Sequence, residues 1–311
     1  MKIFITGSNG FIGQAIVKRI KKKHQVFGLV MPDEKLKVKN IIVKKADLLN
    51  FNLIEQILNR IKPDVIIHLA ARTEVEKSFY EPVSFSTINY SGTVNLIEKA
   101  KNNKNLKLFL FASTMETYGW QPLEAWKAFD EETLQNPNAP YAVAKVGCEY
   151  YLQYAKRAYN FPFTILRQTN TYGRKNNDFF IVEQIITQML KNKKEINLGY
   201  KDPYRNFLYI EDLIDLYEVI IDNIDKAKGQ VFCCGPDNAI RIEDLVNKIA
   251  KKIGWKGKIN WNTKPARVGE IYYLNSSGAK AKKFLGWEAK VDLDTGLDQT
   301  ISHWKKILCP K

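Results

Sequence analysis

The 311-residue chain is poor in the residue types that build metal and disulfide sites. It has four cysteines, Cys148, Cys233, Cys234 and Cys309, with no CxxC or other ligand spacing, and three histidines, none paired at helical spacing. That pattern excludes a zinc centre and a disulfide framework and predicts a reduced protein with no metal. No apolar run is long enough to span a bilayer, so no membrane association is expected. The N-terminus runs straight into a structural motif, which leaves no room for a signal peptide and points to the cytoplasm. Acidic residues are also scarce, 33 against 48 lysines and arginines, giving a net charge of +15. The basic residues are spread along the whole chain with only short runs such as Lys21-Lys22-Lys23. This reads as solvated helix faces, with no nucleic-acid footprint.

What is present is a globular composition, 45% apolar, and a clear rhythm. Short apolar strands at Lys2–Thr6, 26–30, 41–43, 65–69, 106–112 and 163–168 alternate with amphipathic helices at about 11–22, 53–61 and 83–101. Such alternation predicts right-handed βαβ units on a parallel sheet buried on both faces. After residue 170 the rhythm loosens, with helices near 180–191, 211–224 and 242–253. The expected organisation is an α/β fold with a Rossmann-type doubly wound sheet. Residues 1–170 form a dinucleotide-binding domain, with a return segment at about 206–235. Residues 171–205 and 236–311 form a smaller substrate-binding α/β domain.

The first strand ends in Gly7-Ser8-Asn9-Gly10-Phe11-Ile12-Gly13 and a helix follows at once. A diphosphate can approach backbone closely where there is no Cβ, and a helix N-terminus offers it N–H donors and a favourable dipole. The strand–loop–helix context makes this a dinucleotide site. The acidic residue that ordinarily ends the second strand and holds the adenosine ribose is missing. Val30 and Met31 stand there, with Asp33 later and Lys35 and Lys37 nearby, so the choice between NAD and NADP stays open.

Two further patterns carry chemistry. Tyr141 and Lys145 form a YxxxK pair on a helix with Asn138 as the expected N-cap and Pro140 in the first turn. One helical turn puts phenol and ammonium on one face, and the cation favours ionised tyrosine, poising Tyr141 as a general base. Ser113-Thr114-Met115-Glu116-Thr117-Tyr118-Gly119 directly follows a strand, at the sheet end where α/β enzymes place their sites. A hydroxyl there can hold a reacting oxygen, and the Glu116 carboxylate can remove a carbon-bound proton.

This ordered set resembles the extended short-chain dehydrogenases/reductases that modify nucleotide sugars. The motifs run from the glycine loop through Asp47-Leu48, His68-Leu69-Ala70-Ala71, Asn89 with Gly92-Thr93, Ser-Thr…Tyr-Gly and YxxxK. Leu166-Arg167…Asn170, Tyr172-Gly173, Arg205-Asn206-Phe207…Asp212 and Arg267-Val268-Gly269-Glu270 follow. The resemblance implies a tightly bound NAD or NADP contacted by Gly7, Asn9, Gly10, Phe11, Ile12, Gly13, Asp47, Leu48, Leu69, Ala70, Ala71, Asn89, Tyr141 and Lys145. It implies catalysis by Thr114, Glu116, Tyr141 and Lys145. Substrate would be held by Thr73, Asn170, Arg205 and Arg267, the two arginines offering forks to a diphosphate. Phe179, Phe180 and Asn197 fall near where relatives hold the base. The partners implied are a nucleotide sugar and a second copy of the chain, packed through the 83–101 helix and the helix carrying Tyr141.

The resemblance leaves the reaction divided. Dehydrating relatives carry an acidic residue between the threonine and the glutamate, and decarboxylating ones a serine; Met115 is neither. An epimerase/dehydratase-type enzyme working by hydride transfer at C4 leads. The alternatives are an NADPH-dependent 4-keto-sugar reductase and a non-catalytic dinucleotide sensor or nucleic-acid-binding relative.

Overall fold

A computed structural model describes residues 1–122, 127–173, 177–263 and 269–309. Six strands alternate with helices from the N-terminus: β1 (Lys2–Thr6), β2 (Gln25–Val30), β3 (Ile42–Lys45), β4 (Val65–His68), β5 (Leu108–Thr114) and β6 (Phe163–Gln168). With the later strand Gln230–Cys233 they make one seven-stranded sheet. Its order is β3-β2-β1-β4-β5-β6 followed by Gln230–Cys233, and every pairing is parallel. The order reverses between β1 and β4, and open α/β sheets bind ligands at that switch, beyond the strands' carboxyl ends.

Because side chains alternate across a strand, each central strand feeds two cores. Ile3, Ile5, Val65, Ile67, Leu108 and Leu110 face one side. Phe4, Ile66, Phe109 and Phe111 face the other, against α2 (Phe51–Ile61) and the Pro140–Tyr159 helix. The first core does not stop at the sheet. It runs on through Ile185, Leu245, Leu297 and Trp304, on the later helices Ile181–Lys191, Ile242–Ile253 and Leu293–Leu308.

Three small sheets stand beyond the main one. Asn170–Tyr172 pairs with Phe207–Tyr209, Glu195–Asn197 with Lys258–Asn260, and Tyr204–Arg205 lies between Ile240–Arg241 and Tyr273–Leu274. The helix Ile210–Asp222 returns to the first half, where Asp215, Glu218 and Glu211 surround Arg19 of α1 (Phe11–Ile20).

Three local expectations are corrected. The strand predicted at 106–112 lies two residues later, so Ser113 and Thr114 belong to the strand itself. The 83–101 helix is a composite of Pro82–Phe85, a π-helical stretch at Ser86–Ser91, and Gly92–Ala100. The N-cap of the Tyr141 helix is Ala139, not Asn138. Pro140 at the first helical position drives its predecessor into extended backbone, and the Asn138 amide donates across to the Gly269 carbonyl instead.

A hydrogen-bond chain fixes the sheet end at the switch point. The Ala70 N–H donates to Thr6 Oγ1 at 3.2 Å, and Thr6 lies 2.7 Å from His68 Nδ1. On the other side His68 Nε2 lies 2.8 Å from Thr93 Oγ1, which donates to the Asn89 carbonyl at 2.6 Å. Since the Thr93 proton is already committed, Nε2 must donate and Nδ1 must accept. The ring is therefore the neutral Nε2–H tautomer, stacked on Phe111. Burial first, and the Lys145 cation second, push its pKa down to about 3.

Two predictions follow from this packing. A Cβ on Gly13 would stand 2.4 Å from the Gly7 carbonyl oxygen and 2.8 Å from Ser8 Cα, both backbone atoms. Gly13→Ala should cost about 1–3 kcal/mol in chemical denaturation. Gly199→Ala, with nothing within 4 Å of the added atom, should stay within about 0.5 kcal/mol. The second concerns acid. The folded value of His68 lies below its ordinary 6.5, so the unfolded chain takes the proton first as pH falls. Stability should therefore drop from about pH 6.5 toward pH 3. Urea titrations from pH 6 to 4 should show a slope shallower in His68→Asn by up to about 1.4 kcal/mol per pH unit. Equal slopes would contradict the neutral, unprotonated ring.

Candidate active site

The carboxyl ends of β1, β4, β5 and β6 converge on one cleft of about 160 Å³. Ile12, Thr73, Thr114, Glu116, Tyr141 and Asn170 all line it, although they come from five separate stretches of chain.

At the cleft's edge the glycine loop opens onto α1. Gly10 caps this helix with no side-chain hydrogen bond, and no acidic residue occupies the first turn. A Cβ on Gly10 would meet only the Gly7 carbonyl within 4 Å, so one side of the loop backbone is open to approach. A helix start without a capping side chain, reached over exposed glycine, fits the diphosphate of a dinucleotide. Asn9 does not face that opening. Its side chain is spent on the 34–37 segment: Nδ2 donates to the Lys35 carbonyl at 2.9 Å and to Glu34 Oε2 at 3.2 Å, and Oδ1 accepts from Lys37 N at 2.9 Å.

Leu69, Ala70 and Ala71 follow β4 beside the loop, with Ala70 pinned by Thr6. Asn89, inside the π-helical stretch, clamps the next turn. Its Oδ1 accepts from Arg72 N at 2.8 Å and its Nδ2 donates to Arg72 O at 2.9 Å. Asp47 closes its own turn by accepting from Leu49 N at 2.9 Å, and Leu48 is buried beside Gly92.

Thr114 ends β5 and caps the short 3-10 turn Met115–Tyr118, its Oγ1 accepting from Glu116 N at 3.2 Å. The hydroxyl keeps its hydrogen as a donor. That turn aims Glu116 into the cleft and Met115 largely inward. Met115 is 1% exposed, packed with Tyr118, Phe129 and Leu274, and its Sδ accepts from Thr169 Oγ1 at 3.0 Å.

Tyr141 and Lys145 sit one turn apart on the inner face of the Pro140–Tyr159 helix, both buried. Lys145 reaches beneath the cleft, donating to the Ala112 carbonyl at 2.7 Å with its ammonium 4.7 Å from the Phe111 ring centre. Burial pushes its pKa down to about 8, against the opposing pull of Cys148 and Glu149. One turn further, Glu149 pairs with the buried Arg167 of β6 at 2.8 Å and also accepts from Ser113 and Gln135. A buried pair this fully hydrogen-bonded fixes geometry more than it adds stability, and here it locks the Tyr141 helix to β5 and β6. Nothing in the spacing of Glu149 or Gln135 marked them for this task.

The expected substrate residues divide. Thr73 and Asn170 line the cleft, with Asn170 Nδ2 donating to the Asn206 carbonyl at 3.2 Å. Arg205 does not line it; its guanidinium donates to the carbonyls of Tyr204 and Ile271 and faces Glu270 at 3.4 Å. Arg267 lies outside the described residues. Phe180 lines the cleft, Phe179 is exposed, and Asn197 bonds Asn260 away from it. Among the described residues no cluster of histidine, cysteine or carboxylate is arranged to hold a metal, and no helix is long and apolar enough to cross a membrane.

Known proteins share this fold. Residues 4–300 match the GDP-mannose 4,6 dehydratase family. The dTDP-D-glucose 4,6-dehydratase of Dictyostelium discoideum is 32% identical over 268 residues, covering 80% of this chain and 61% of that protein. The UDP-glucose 4-epimerase of Thermotoga maritima, solved with UDP-glucose, superposes with a TM-score of 0.91 at 27% identity, covering 99% of this chain and 100% of that one. The UDP-glucuronic acid 4-epimerase of Bacillus cereus, solved with UDP-glucuronic acid and NAD, gives 0.87 at 26% identity, covering 99% and 100%. The chain belongs to the GDP-mannose 4,6-dehydratase family, and so to the extended short-chain dehydrogenases/reductases that act as nucleotide-sugar epimerases and dehydratases with a nicotinamide dinucleotide.

Proposed function

We propose that this enzyme epimerises a nucleotide sugar by reversible oxidation at C4. One observation carries the choice within the family: Met115, between Thr114 and Glu116, is a thioether buried in apolar packing. A thioether cannot protonate a leaving hydroxyl, so elimination of water lacks its acid, whereas oxidation at C4 would need from the chain only Thr114, Tyr141 and Lys145, with a bound nicotinamide to take the hydride.

The chain's own groups would act as follows. Thr114 donates to the sugar's reacting oxygen and orients it. Tyr141 accepts the hydroxyl proton on oxidation and returns it on reduction. Lys145, with its pKa near about 8, is still cationic at neutral pH and favours the ionised form of Tyr141. The loop Gly7, Gly10, Phe11, Ile12 and Gly13 would hold the diphosphate of the dinucleotide, with Asp47, Leu48, Leu69, Ala70, Ala71 and Asn89 along its length. When bound there, the nicotinamide supplies hydride uptake and return. Glu116 would face the sugar with a thioether, not an acid, at the neighbouring position 115. Thr73 and Asn170 would contact the substrate inside the cleft, and Arg205 and Arg267 its diphosphate. We assign dinucleotide binding to 1–170 with 206–235 and substrate binding to 171–205 with 236–311. Four free cysteines suit the reducing cytoplasm.

We also propose a homodimer. Tyr80, Val83 and Tyr90 of the 75–91 region and Val143, Tyr150 and Tyr154 of the Tyr141 helix leave large apolar surface exposed. Light scattering should give the mass of two chains; the mass of one would reject the dimer.

The reaction is tested by mass spectrometry of products made in heavy water from a panel of UDP-, dTDP-, GDP- and CDP-sugars. The expected product has unchanged mass, no deuterium on carbon and altered chromatographic mobility, and Tyr141→Phe should slow its formation by about 10²–10⁴-fold. A product lighter by one water and carrying deuterium would make the enzyme a dehydratase. Stoichiometric consumption of reduced cofactor would make it a ketoreductase.

A further inference from the structure

The second strand ends without the acid that usually grips the adenosine ribose, but the fold brings a different one to the same place. After Val30 the chain turns, with Glu34 N donating to the Met31 carbonyl at 3.2 Å. Lys45 Nζ holds that turn from outside by donating to the Pro32 carbonyl at 2.9 Å. The turn delivers the Glu34 carboxylate to Asn9, the residue before Gly10 in the glycine loop, at 3.2 Å. Two more bonds from the same asparagine, to Lys35 O and from Lys37 N, fasten the segment on both sides of that contact. Val38, buried, anchors its far end.

Asn9 is 3% exposed and makes three hydrogen bonds to a segment that is otherwise exposed. Its amide is thus a bracket: it determines where the 34–37 segment lies relative to the start of α1. A carboxylate has about four acceptor sites, and the Asn9 contact uses one. The adenosine ribose lies next to the diphosphate in any dinucleotide. With the diphosphate on Gly10 and the first turn of α1, the sugar diol would come beside residue 9, on the side where Asn9 holds this carboxylate.

We propose that Glu34, bracketed by Asn9, is the ribose anchor of this chain and makes it select NAD over NADP. The inference rests on the dinucleotide reading of the glycine loop. A ribose diol offers two O–H donors to the carboxylate, and hydrogen bonds to an ionised acceptor are the strong ones. A 2′-phosphate would bring a second anion against it. Lys35 and Lys37 do not reverse this, because the contacts that orient them toward the loop are made by their backbone, while the one side chain fixed there is an acid.

The test measures binding and does not depend on turnover. Nucleotide released from the purified protein by denaturation is identified by mass, and the stripped protein is titrated calorimetrically with NAD and with NADP. Melting curves are recorded for wild type, Glu34→Gln and Glu34→Ala. The wild type should release NAD and bind it at least tenfold more tightly than NADP. Glu34→Gln, which can keep the Asn9 contact but removes the charge, should weaken NAD several-fold and narrow the preference at least threefold with an unchanged melt. An equal or reversed preference in wild type, or a preference unmoved by both substitutions, would overturn the assignment. Failure of wild type to bind either dinucleotide would overturn the reading of the glycine loop, and this inference with it.

Discussion

The neutral imidazole of His68 is the joint on which the cleft end of the sheet depends. Through Thr6 and Ala70 it ties the end of β1 to the loop after β4, and through Thr93 to the Asn89 carbonyl inside the π-helical stretch. Asn89 then holds the Arg72 backbone with its side chain, and its carbonyl accepts from the Cys148 thiol on the helix that carries Tyr141 and Lys145. The end of β1, the loop after β4 and the Tyr141 helix are therefore members of one buried polar network. A network of this kind is worthwhile only when every member is satisfied, and the tautomer deduced for His68 satisfies both of its nitrogens. The extra residue of the π turn is what makes it possible, because it brings Asn89 to face the 70–72 loop instead of continuing the helix stripe.

Much of this architecture is legible in the chain. β1 and β4 are short apolar runs bounded by polar residues, and with β6 they form within a residue of where their pattern places them. The glycine loop and the YxxxK pair are legible for the same reason: each is local, and its chemistry is set by a spacing of a few residues. The contacts that escaped notice are long-range. Glu149 reaches Arg167 and Ser113 across 18 and 36 positions, and Asn9 finds Glu34 across 25. No periodicity announces such pairs, since they arise only when the sheet has been assembled. Asn138 failed as a cap for a related reason: local preference favoured it, but Pro140 and the distant Gly269 carbonyl imposed a different role.

The cleft itself shows how a small change can redirect a shared scaffold. Thr114, Glu116 and Tyr141 line one cleft with Lys145 one turn behind, yet the residue between the first two is a methionine packed with Tyr118, Phe129 and Leu274. A thioether sits in that packing at no desolvation cost, with the Thr169 hydroxyl on its sulfur. The apolar packing is thus part of the same feature as the missing acid. Below it, burial pushes the Tyr118 phenol up, so it stays protonated and serves as a link between Arg167 and the Asp130 carbonyl.

The core that continues from Ile3 and Ile67 into Leu245, Leu297 and Trp304 has a consequence for how the molecule holds together. Two halves with separate cores could loosen independently, and the cleft would widen and narrow as they drifted. Here one apolar mass is shared by both, so the C-terminal half has no core apart from the sheet, while the first half keeps a second one on the sheet's other face. Heat or denaturant should dismantle the sheet and the C-terminal helices in a single event. A lesion at Trp304, far along the chain from the glycine loop, would be felt there as readily as one in β1.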